Sequence, residues 1–134
     1  MGLTYVRLRV ARNRRGPAKF VRVLVDTGAT DTMLPARTLK SLGVVPDREA
    51  LVELADGRRV SRGIGVAEVR YGSRWTPTWV LFGQPGDASV LGAITLQELG
   101  LEVDPRSERL RPVKVVLMVT AKVGTKGRRF PIAG

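Results

Sequence analysis

The chain has 134 residues, 43% of them hydrophobic, which is the size and composition of a single globular domain with a buried core. It contains no Cys and no His, which excludes disulfides, thiolate metal sites, Ser-His-Asp and Cys-His hydrolases, and histidine-based zinc chemistry. Acid–base chemistry within this chain therefore falls to carboxylates, Lys or Tyr. We expect no cofactor and no membrane segment, and the absence of Cys favours a reducing, cytoplasmic location.

The formal net charge is +11, and the excess lies at the two ends of the chain. Residues 1–25 carry seven Lys or Arg, residues 112–134 carry five, and neither segment contains an acid. Such ends are typical either of solubilising strands with a basic tail, or of a patch for nucleic acid or an acidic partner. We favour the first interpretation, and do not expect a nucleic-acid partner, because no aromatic stacking pattern accompanies the charge along the sequence.

Two strands are predicted at the start of the chain. Residues 4–11 alternate between apolar and polar side chains, and residues 20–25 do the same. The Asn, Gly and Pro within residues 13–17 predict a turn, so the two strands form a hairpin. The second strand leads directly into the most informative motif of the sequence.

This motif is Asp26-Thr27-Gly28, which places one carboxylate in a tight turn between two apolar runs. Gly28 permits backbone angles, or a close approach of another chain, that a side chain would forbid. A carboxylate between apolar runs is costly to bury unless it is hydrogen-bonded or shares a proton. The tripeptide alone is also typical of an ordinary surface turn, but the apolar flanks, with Met33 and Leu34 on the far side, favour a functional interpretation.

The middle of the chain predicts a helix and a hairpin. Pro35 at the start and Gly43 past the end favour a short helix over residues 35–42. Asp56-Gly57 lies between two strand-like runs and predicts a hairpin with a type I′ turn, which needs positive φ at both residues.

The second half of the chain predicts shorter elements: strands over 76–82 and 88–91, a helix over 93–99, a hairpin over 101–110 and a last strand over 114–121. It also contains a repeat, since Thr38-Leu39-Lys40-Ser41-Leu42-Gly43 recurs as Thr95-Leu96-Gln97-Glu98-Leu99-Gly100. Each copy follows a strand and a Gly-containing turn. This favours two related strand–turn–helix units over two unrelated helices that share common capping residues.

The Asp-Thr-Gly turn, the Asp-Gly hairpin and a later Val-Leu-Gly turn at 90–92, in this order, resemble a retropepsin-like aspartic protease. More narrowly, the chain is similar to the small single-domain bacterial members of the aspartic protease clan, over about residues 4–112. The resemblance implies an all-β, half-pepsin closed barrel with one or two short helices that works as a homodimer. It also implies a protease domain over residues 1–112, followed over 113–134 by a C-terminal strand, a possible dimer contact, and a basic tail.

The resemblance further implies a role for each residue of the motif. Asp26 would be the catalytic acid and base of an endopeptidase, with a water activated between it and the Asp26 of a second chain. Thr27 would hydrogen-bond across the dimer, and Gly28 would let the substrate backbone pass close. Residues 53–62 would form a flap over a peptide or protein substrate. The residues expected to contact substrate are Ala29, Asp31, Ala55, Asp56, Gly57 and Val90.

The chain departs from the viral pattern at two positions. Viral enzymes have Gly-Ala-Asp after the catalytic Asp-Thr, where this chain has Thr30 in place of the Asp, and they have an Arg where this chain has Ala93. Those two viral residues form a structural ion pair, and the absence of both leaves no orphan charge. We therefore expect another contact to hold the dimer, with the hairpin over 101–110 and the strand over 114–121 as candidates.

Two other functions stay open. One is a peptide-binding or dimerisation module with this fold and no turnover, and the other is a basic β-barrel that binds nucleic acid through its ends. The substitution Asp26→Asn separates the first from a protease, since it should abolish cleavage and spare dimerisation. A salt titration separates the second, because phosphate contacts weaken steeply with salt.

Overall fold

The computed structural model describes residues 2–114, which form mostly strands with two short helices. The predicted last strand over 114–121 lies outside the described residues except for Lys114, which is in no strand. In chain order the elements are β1 Tyr5–Ala11, β2 Ala18–Val25, β3 Thr32–Pro35, α1 Ala36–Ser41, β4 Arg48–Glu53, β5 Arg59–Tyr71, β6 Arg74–Gly83, β7 Val90–Leu91, α2 Ala93–Leu99, β8 Leu101–Val103 and β9 Leu110–Pro112.

Seven of the strands form one sheet in the order β1-β2-β7-β3-β6-β5-β4, and β1 also pairs with β5. The pairs β1–β2, β4–β5 and β5–β6 are antiparallel, as their short connections allow. Strand β7 is inserted between β2 and β3, parallel to the first and antiparallel to the second, and β3 is parallel to β6. This insertion brings the chain after Val25 beside the chain after Leu91. Strands β8 and β9 form a separate two-stranded sheet.

The core lies on the inward face that the alternation of β1 and β2 predicts. Leu8 and Val10 of β1 are fully buried, as are Val23 of β2 and Val69 of β5. Burial of a side chain of this size stabilises a fold by roughly 1.5–3 kcal/mol relative to exposure. Because a slip of one residue would turn these side chains outward, the core fixes the strand register and therefore the point at which β2 ends.

The sequence repeat corresponds to the two helices. The leucines at matching positions of the two copies are all buried: Leu39 with Leu96, and Leu42 with Leu99. Each helix is followed by a glycine with positive φ, 85° at Gly43 and 68° at Gly100, which is the conformation that ends a helix tightly. The Arg74 guanidinium donates to the carbonyls of Leu99 and Gly100 (3.0 and 3.2 Å), so it caps the C-terminus of α2.

The structure differs from the sequence prediction in three elements. Residues 32–35 form strand β3, which has no alternation to reveal it because its first three residues are all buried. The predicted strand over 88–91 is shorter and covers only 90–91. The far arm of the flap hairpin is one continuous strand, β5, of 13 residues.

Candidate active site

The Asp26 turn begins where β2 ends. The Asp26 backbone N–H donates to the Leu91 carbonyl (3.0 Å), and the Ala29 N–H donates to the Asp26 carbonyl (3.1 Å). The Gly28 N–H donates to Asp26 Oδ1 (2.9 Å), which holds the carboxylate in one orientation. Asp26 is half-buried, whereas Thr27 and Gly28 are exposed. The motif is thus a preorganised turn that presents one carboxylate at the surface, with Thr27 beside it.

The Val-Leu-Gly turn lies directly against the Asp-Thr-Gly turn. Two backbone hydrogen bonds join the segments after them, from the Ala93 N–H to the Ala29 carbonyl (2.8 Å) and from the Ile94 N–H to the Thr30 carbonyl (3.2 Å). A Cβ on Gly92 would collide with the Asp31 backbone, whose nitrogen would lie 2.9 Å from it. Only glycine therefore lets the two turns approach this closely.

A chain of buried hydroxyls extends from the paired turns into the core. Thr32 Oγ1 accepts the Gly92 N–H (3.0 Å) and donates to Thr95 Oγ1 (2.7 Å). Thr78 Oγ1 donates to Glu98 Oε1 (2.7 Å) and lies 3.1 Å from Thr95 Oγ1. Because the Thr78 hydroxyl donates its single proton to Glu98, the Thr95 hydroxyl is the donor in the bond between Thr95 and Thr78. Each of the three hydroxyls then donates once.

This threonine chain ties the Gly92 turn to the core. It connects the turn at Gly92 to β3, to β6 and to α2 through neutral hydroxyls that end on the carboxylate of Glu98. Hydrogen bonds in such a series polarise one another and rigidify the elements that they join. The sequence gives no signal for the network, because Thr78 and Thr95 meet only through the pairing of distant elements.

The flap hairpin closes with a turn that differs from the predicted type I′. The Leu54 N–H donates to the Arg58 carbonyl (2.8 Å), and the Gly57 N–H donates to the Leu54 carbonyl (2.9 Å). Gly57 has φ of 87°, whereas Asp56 has negative φ, so the prediction of positive φ at both residues is wrong. The loop has three residues, 55–57, and its glycine takes the left-handed conformation that is common in three-residue hairpin loops.

The carboxylate of Asp56 is directed at its own hairpin. It accepts the Arg58 backbone N–H at Oδ1 (3.0 Å) and the Arg58 Nε–H at Oδ2 (2.7 Å). The backbone N–H of Arg58, and then its side chain, hold the pKa of the Asp56 carboxyl below its usual value. The three tip residues that the sequence predicts to contact substrate, Ala55, Asp56 and Gly57, are all exposed.

An ion pair fixes the base of the flap. Arg62 of β5 binds Asp87 through Nε–Oδ2 (2.7 Å) and Nη2–Oδ1 (3.1 Å), and their side chains are only 16% and 10% exposed. The Gln84 N–H also donates to Asp87 Oδ2 (2.8 Å). Hydrogen bonding to Arg62 lowers the pKa of Asp87, more than desolvation raises it. The pair joins the flap strand to the loop that leads into β7, and its partners are 25 residues apart, so the sequence does not reveal it.

The structure brings some of the predicted site residues together and leaves others apart. Asp26, Ala29 and Asp31 belong to the paired turns, and Val90 lies beside them, opposite Leu24 of β2. The flap tip forms no hydrogen bond with these turns within residues 2–114. The predicted site of one chain is therefore an open surface rather than a closed pocket.

The cavities of the described chain support this view of an open site. A groove of about 510 Å³ lies between α1 and the loop 84–89, lined in part by Leu34, Arg37 and Asp87, and it does not include Asp26. A smaller cavity of about 60 Å³ borders Asp31 together with Trp79. Neither of these two cavities includes Asp26.

Residues 2–114 contain no cluster of three or more acidic side chains that could hold a metal ion. Neither of the two helices in this part of the chain is long and apolar enough to cross a membrane.

The strand-rich fold with two short helices, and the hydrogen bonds between the segments after the Asp-Thr-Gly and Val-Leu-Gly turns, agree with the retropepsin-like resemblance of the sequence. The model of a family described as "Aspartyl protease" matches residues 14–95, and the chain belongs to that family. No curated protein matches the chain.

Solved structures give the same result for the fold. The chain is similar to EIAV protease complexed with the inhibitor HBY-793, with 19% identity and a TM-score of 0.58, over 87% of this chain and 94% of that chain. It is also similar to a retropepsin-like aspartic protease from Rickettsia conorii, with 21% identity and a TM-score of 0.46, over 78% of this chain and 89% of that chain. The likeness to the EIAV enzyme confirms the predicted retropepsin-like fold.

Proposed function

We propose that this protein is an aspartic endopeptidase that hydrolyses peptide bonds as a homodimer, with Asp26 of each chain in one shared site. The observation that carries the proposal is the Asp26 carboxylate itself, oriented by the Gly28 N–H directly after β2 and open to the surface. Membership of the aspartyl protease family supports the assignment of the reaction.

The chemistry follows from two carboxylates held close together. Like charges at such a distance cannot both ionise easily, so the pair holds one proton between its members. The ionised carboxylate removes a proton from a water molecule, which attacks the carbonyl carbon of the peptide bond. The protonated carboxylate donates a hydrogen bond to the carbonyl oxygen and stabilises the charge that develops there.

The need for a second chain rests on what one chain lacks. Asp26 Oδ1 is bound by Gly28, but no described residue hydrogen-bonds to Asp26 Oδ2. Thr27 is exposed beside it, where a hydrogen bond across a twofold axis would stiffen both turns. The next acid along the sequence is Asp31, which is exposed and whose backbone lies against Gly92.

The sheet formed by β8 and β9 is our candidate for the dimer contact, together with residues 113–134. Within residues 2–114 it pairs with no strand of the seven-stranded sheet, and an unpaired strand edge is a surface to which another strand can add. The N-terminal segment passes beside it, since Thr4 Oγ1 donates to the Glu108 carbonyl (2.8 Å). The additional pairing of β1 with β5 supports a closed barrel as the body of each subunit.

Substrate would lie between the paired turns and the flaps. In this arrangement Gly28 leaves room for the substrate backbone, and Ala29, Asp31 and Val90 line the floor. Residues 55–57 at the flap tip would cover the substrate from the other side. Neither of the two cavities described above includes Asp26, which agrees with a site that two chains complete.

The proposal is tested by cleavage of a denatured protein mixture at several pH values, with wild type and Asp26→Asn compared. We expect cleavage by wild type only, with the same sedimentation coefficient for both, because the substitution preserves shape and removes the acid. A variant that still cleaves would contradict the role of Asp26. A wild type that binds peptides and never cleaves them would favour the peptide-binding module instead.

A further inference from the structure

The outward face of β1, β2, β5 and β6 carries arginines and aromatic rings side by side. One row across these strands runs from Phe20 to Arg9, Arg70 and Trp75, each directly opposite the next. The adjacent row pairs Arg7 with Arg22. We call this surface the arginine–aromatic face; its members are Tyr5, Arg7, Arg9, Arg14, Phe20, Arg22, Arg70 and Trp75.

Each aromatic ring of this face is stacked against a guanidinium group. The guanidinium carbons lie over the ring centroids at 4.7 Å for Arg7 on Phe20, 3.9 Å for Arg22 on Tyr5 and 3.7 Å for Arg14 on Trp75. The rings stay open to solvent, with 61% of Phe20, 43% of Tyr5 and 37% of Trp75 exposed. The face therefore offers flat surfaces and cationic donors at the same place.

The arginines of the face lack the anions that would balance them. Arg7 lies opposite Arg22 and Arg9 opposite Arg70, and like charges in such positions are unfavourable. None of the five arginines forms an ion pair with a residue between 2 and 114. The only carboxylate in the four strands is Glu68, which is buried.

One nitrogen atom of Arg70 also lacks a partner. Its Nε is buried and has no hydrogen-bond partner among the described residues. A buried, unpaired donor of a charged group is costly, and Glu68 Oε1, two positions away along β5, is likewise buried without a hydrogen-bond partner among the described residues.

We propose that the arginine–aromatic face binds single-stranded nucleic acid. Arginines bind phosphates, and exposed aromatic rings and guanidinium planes stack on unpaired bases. Four strands at a spacing of about 4.8 Å place the outer members of a row about 14 Å apart. Four-stranded sheets of this width receive two or three bases in known RNA-binding domains.

Two other anionic partners fit the face less well. A duplex would satisfy the arginines but keeps its bases stacked inside, so the rings would contribute nothing. An acidic peptide would also pair with the arginines and would leave the rings unused. The sequence alone shows the charge but not the pattern, because the three rings lie at positions 5, 20 and 75 and meet only through strand register.

The test is fluorescence anisotropy of a labelled 20-nucleotide single strand of mixed sequence, titrated with the full chain at several salt concentrations. The double variant Arg7→Gln/Arg22→Gln should weaken binding by about tenfold or more at low salt. It should also lower the slope of log affinity against log salt by about 1.4, since each lost contact to a single strand removes about 0.7. The matched control is Arg37→Gln/Lys40→Gln, which removes the same charge from the exposed side of α1 and should change affinity by less than about twofold.

The substitution Phe20→Leu tests the stacking surface at constant charge. It should weaken binding of the single strand about fivefold or more, and leave binding of a polyglutamate chain unchanged. A duplex of the same sequence, polyglutamate and anionic phospholipid vesicles should each bind more weakly than the single strand. The proposal is overturned if any of these binds equally well, if the Arg7/Arg22 variant behaves as its control does, or if Phe20→Leu has no effect while unfolding at the wild-type temperature.

Discussion

At the scale of single residues, two carboxylates only five positions apart have different surroundings. Asp26 directly follows β2, is half-buried and is oriented by the Gly28 N–H. Asp31 is exposed, packs its backbone on Gly92 and borders the small cavity beside Trp79. We assign proton transfer to the first and substrate contact to the second.

The substitution Asp31→Asn should therefore change KM or cleavage preference and preserve a bell-shaped dependence of rate on pH. Both limbs of the bell belong to the pair of Asp26 carboxylates, since the chain has no His to add another limb. Steady-state kinetics on a peptide set across pH measures this. If Asp31→Asn is inactive while Asp26→Asn stays active, the catalytic carboxylate is wrongly assigned.

The flap glycine offers a second test at this scale. Gly57 and Gly72 both have positive φ, 87° and 60°, and a Cβ on either would meet no atom within 4 Å. Alanine at each should cost about 1–2 kcal/mol of stability through backbone strain alone. Only Gly57→Ala should also lower kcat/KM, because only Gly57 lies at the flap tip. Equal losses of activity in the two variants would contradict the placing of the flap.

At the scale of elements, the threonine chain joins the Gly92 turn to β3, β6 and α2. Thr95→Val keeps the shape of the side chain but leaves Thr32 without an acceptor and Thr78 without a donor. We expect a loss of about 1–3 kcal/mol in the free energy of unfolding, together with a lower kcat. The control is Thr76→Val, since within residues 2–114 the Thr76 hydroxyl bonds only to the adjacent Pro77 carbonyl. Denaturant unfolding measures the stability of both variants. Equal losses of stability in Thr95→Val and Thr76→Val would count against the network.

The ion pair at the flap base predicts how stability changes in acid. The pKa of Asp87 is lower in the folded chain than its ordinary value of 3.8, chiefly because Arg62 binds it. The pair therefore stabilises fully above the ordinary value, and its contribution is lost as the pH falls through the lower folded value. The difference in unfolding midpoint between wild type and Asp87→Asn should be larger at pH 6 than at pH 2. Asp47→Asn, which removes an exposed pair with Arg48, should have little effect at either pH.

At the scale of the whole molecule, periodicity and turn residues predict most of the strands and both helices, because β1 and β2 alternate and each helix ends at a glycine. They miss β3, whose first three residues are all buried and leave no alternation. They also miss the Arg62–Asp87 pair, the threonine chain and the arginine–aromatic face. Each of these depends on register between strands or on contacts between distant elements, which local pattern does not encode. The roles of the site residues and the cytoplasmic location stay predictions.

The central claim is that two chains share one site and that each must supply Asp26. Mixing wild type with an increasing excess of Asp26→Asn, after subunit exchange at constant total concentration, tests it most directly. If both carboxylates are needed, activity per wild-type chain falls in proportion to the wild-type fraction, because only the doubly wild-type dimer cleaves. If activity per wild-type chain stays constant as Asp26→Asn is added, one chain suffices and the shared site is contradicted.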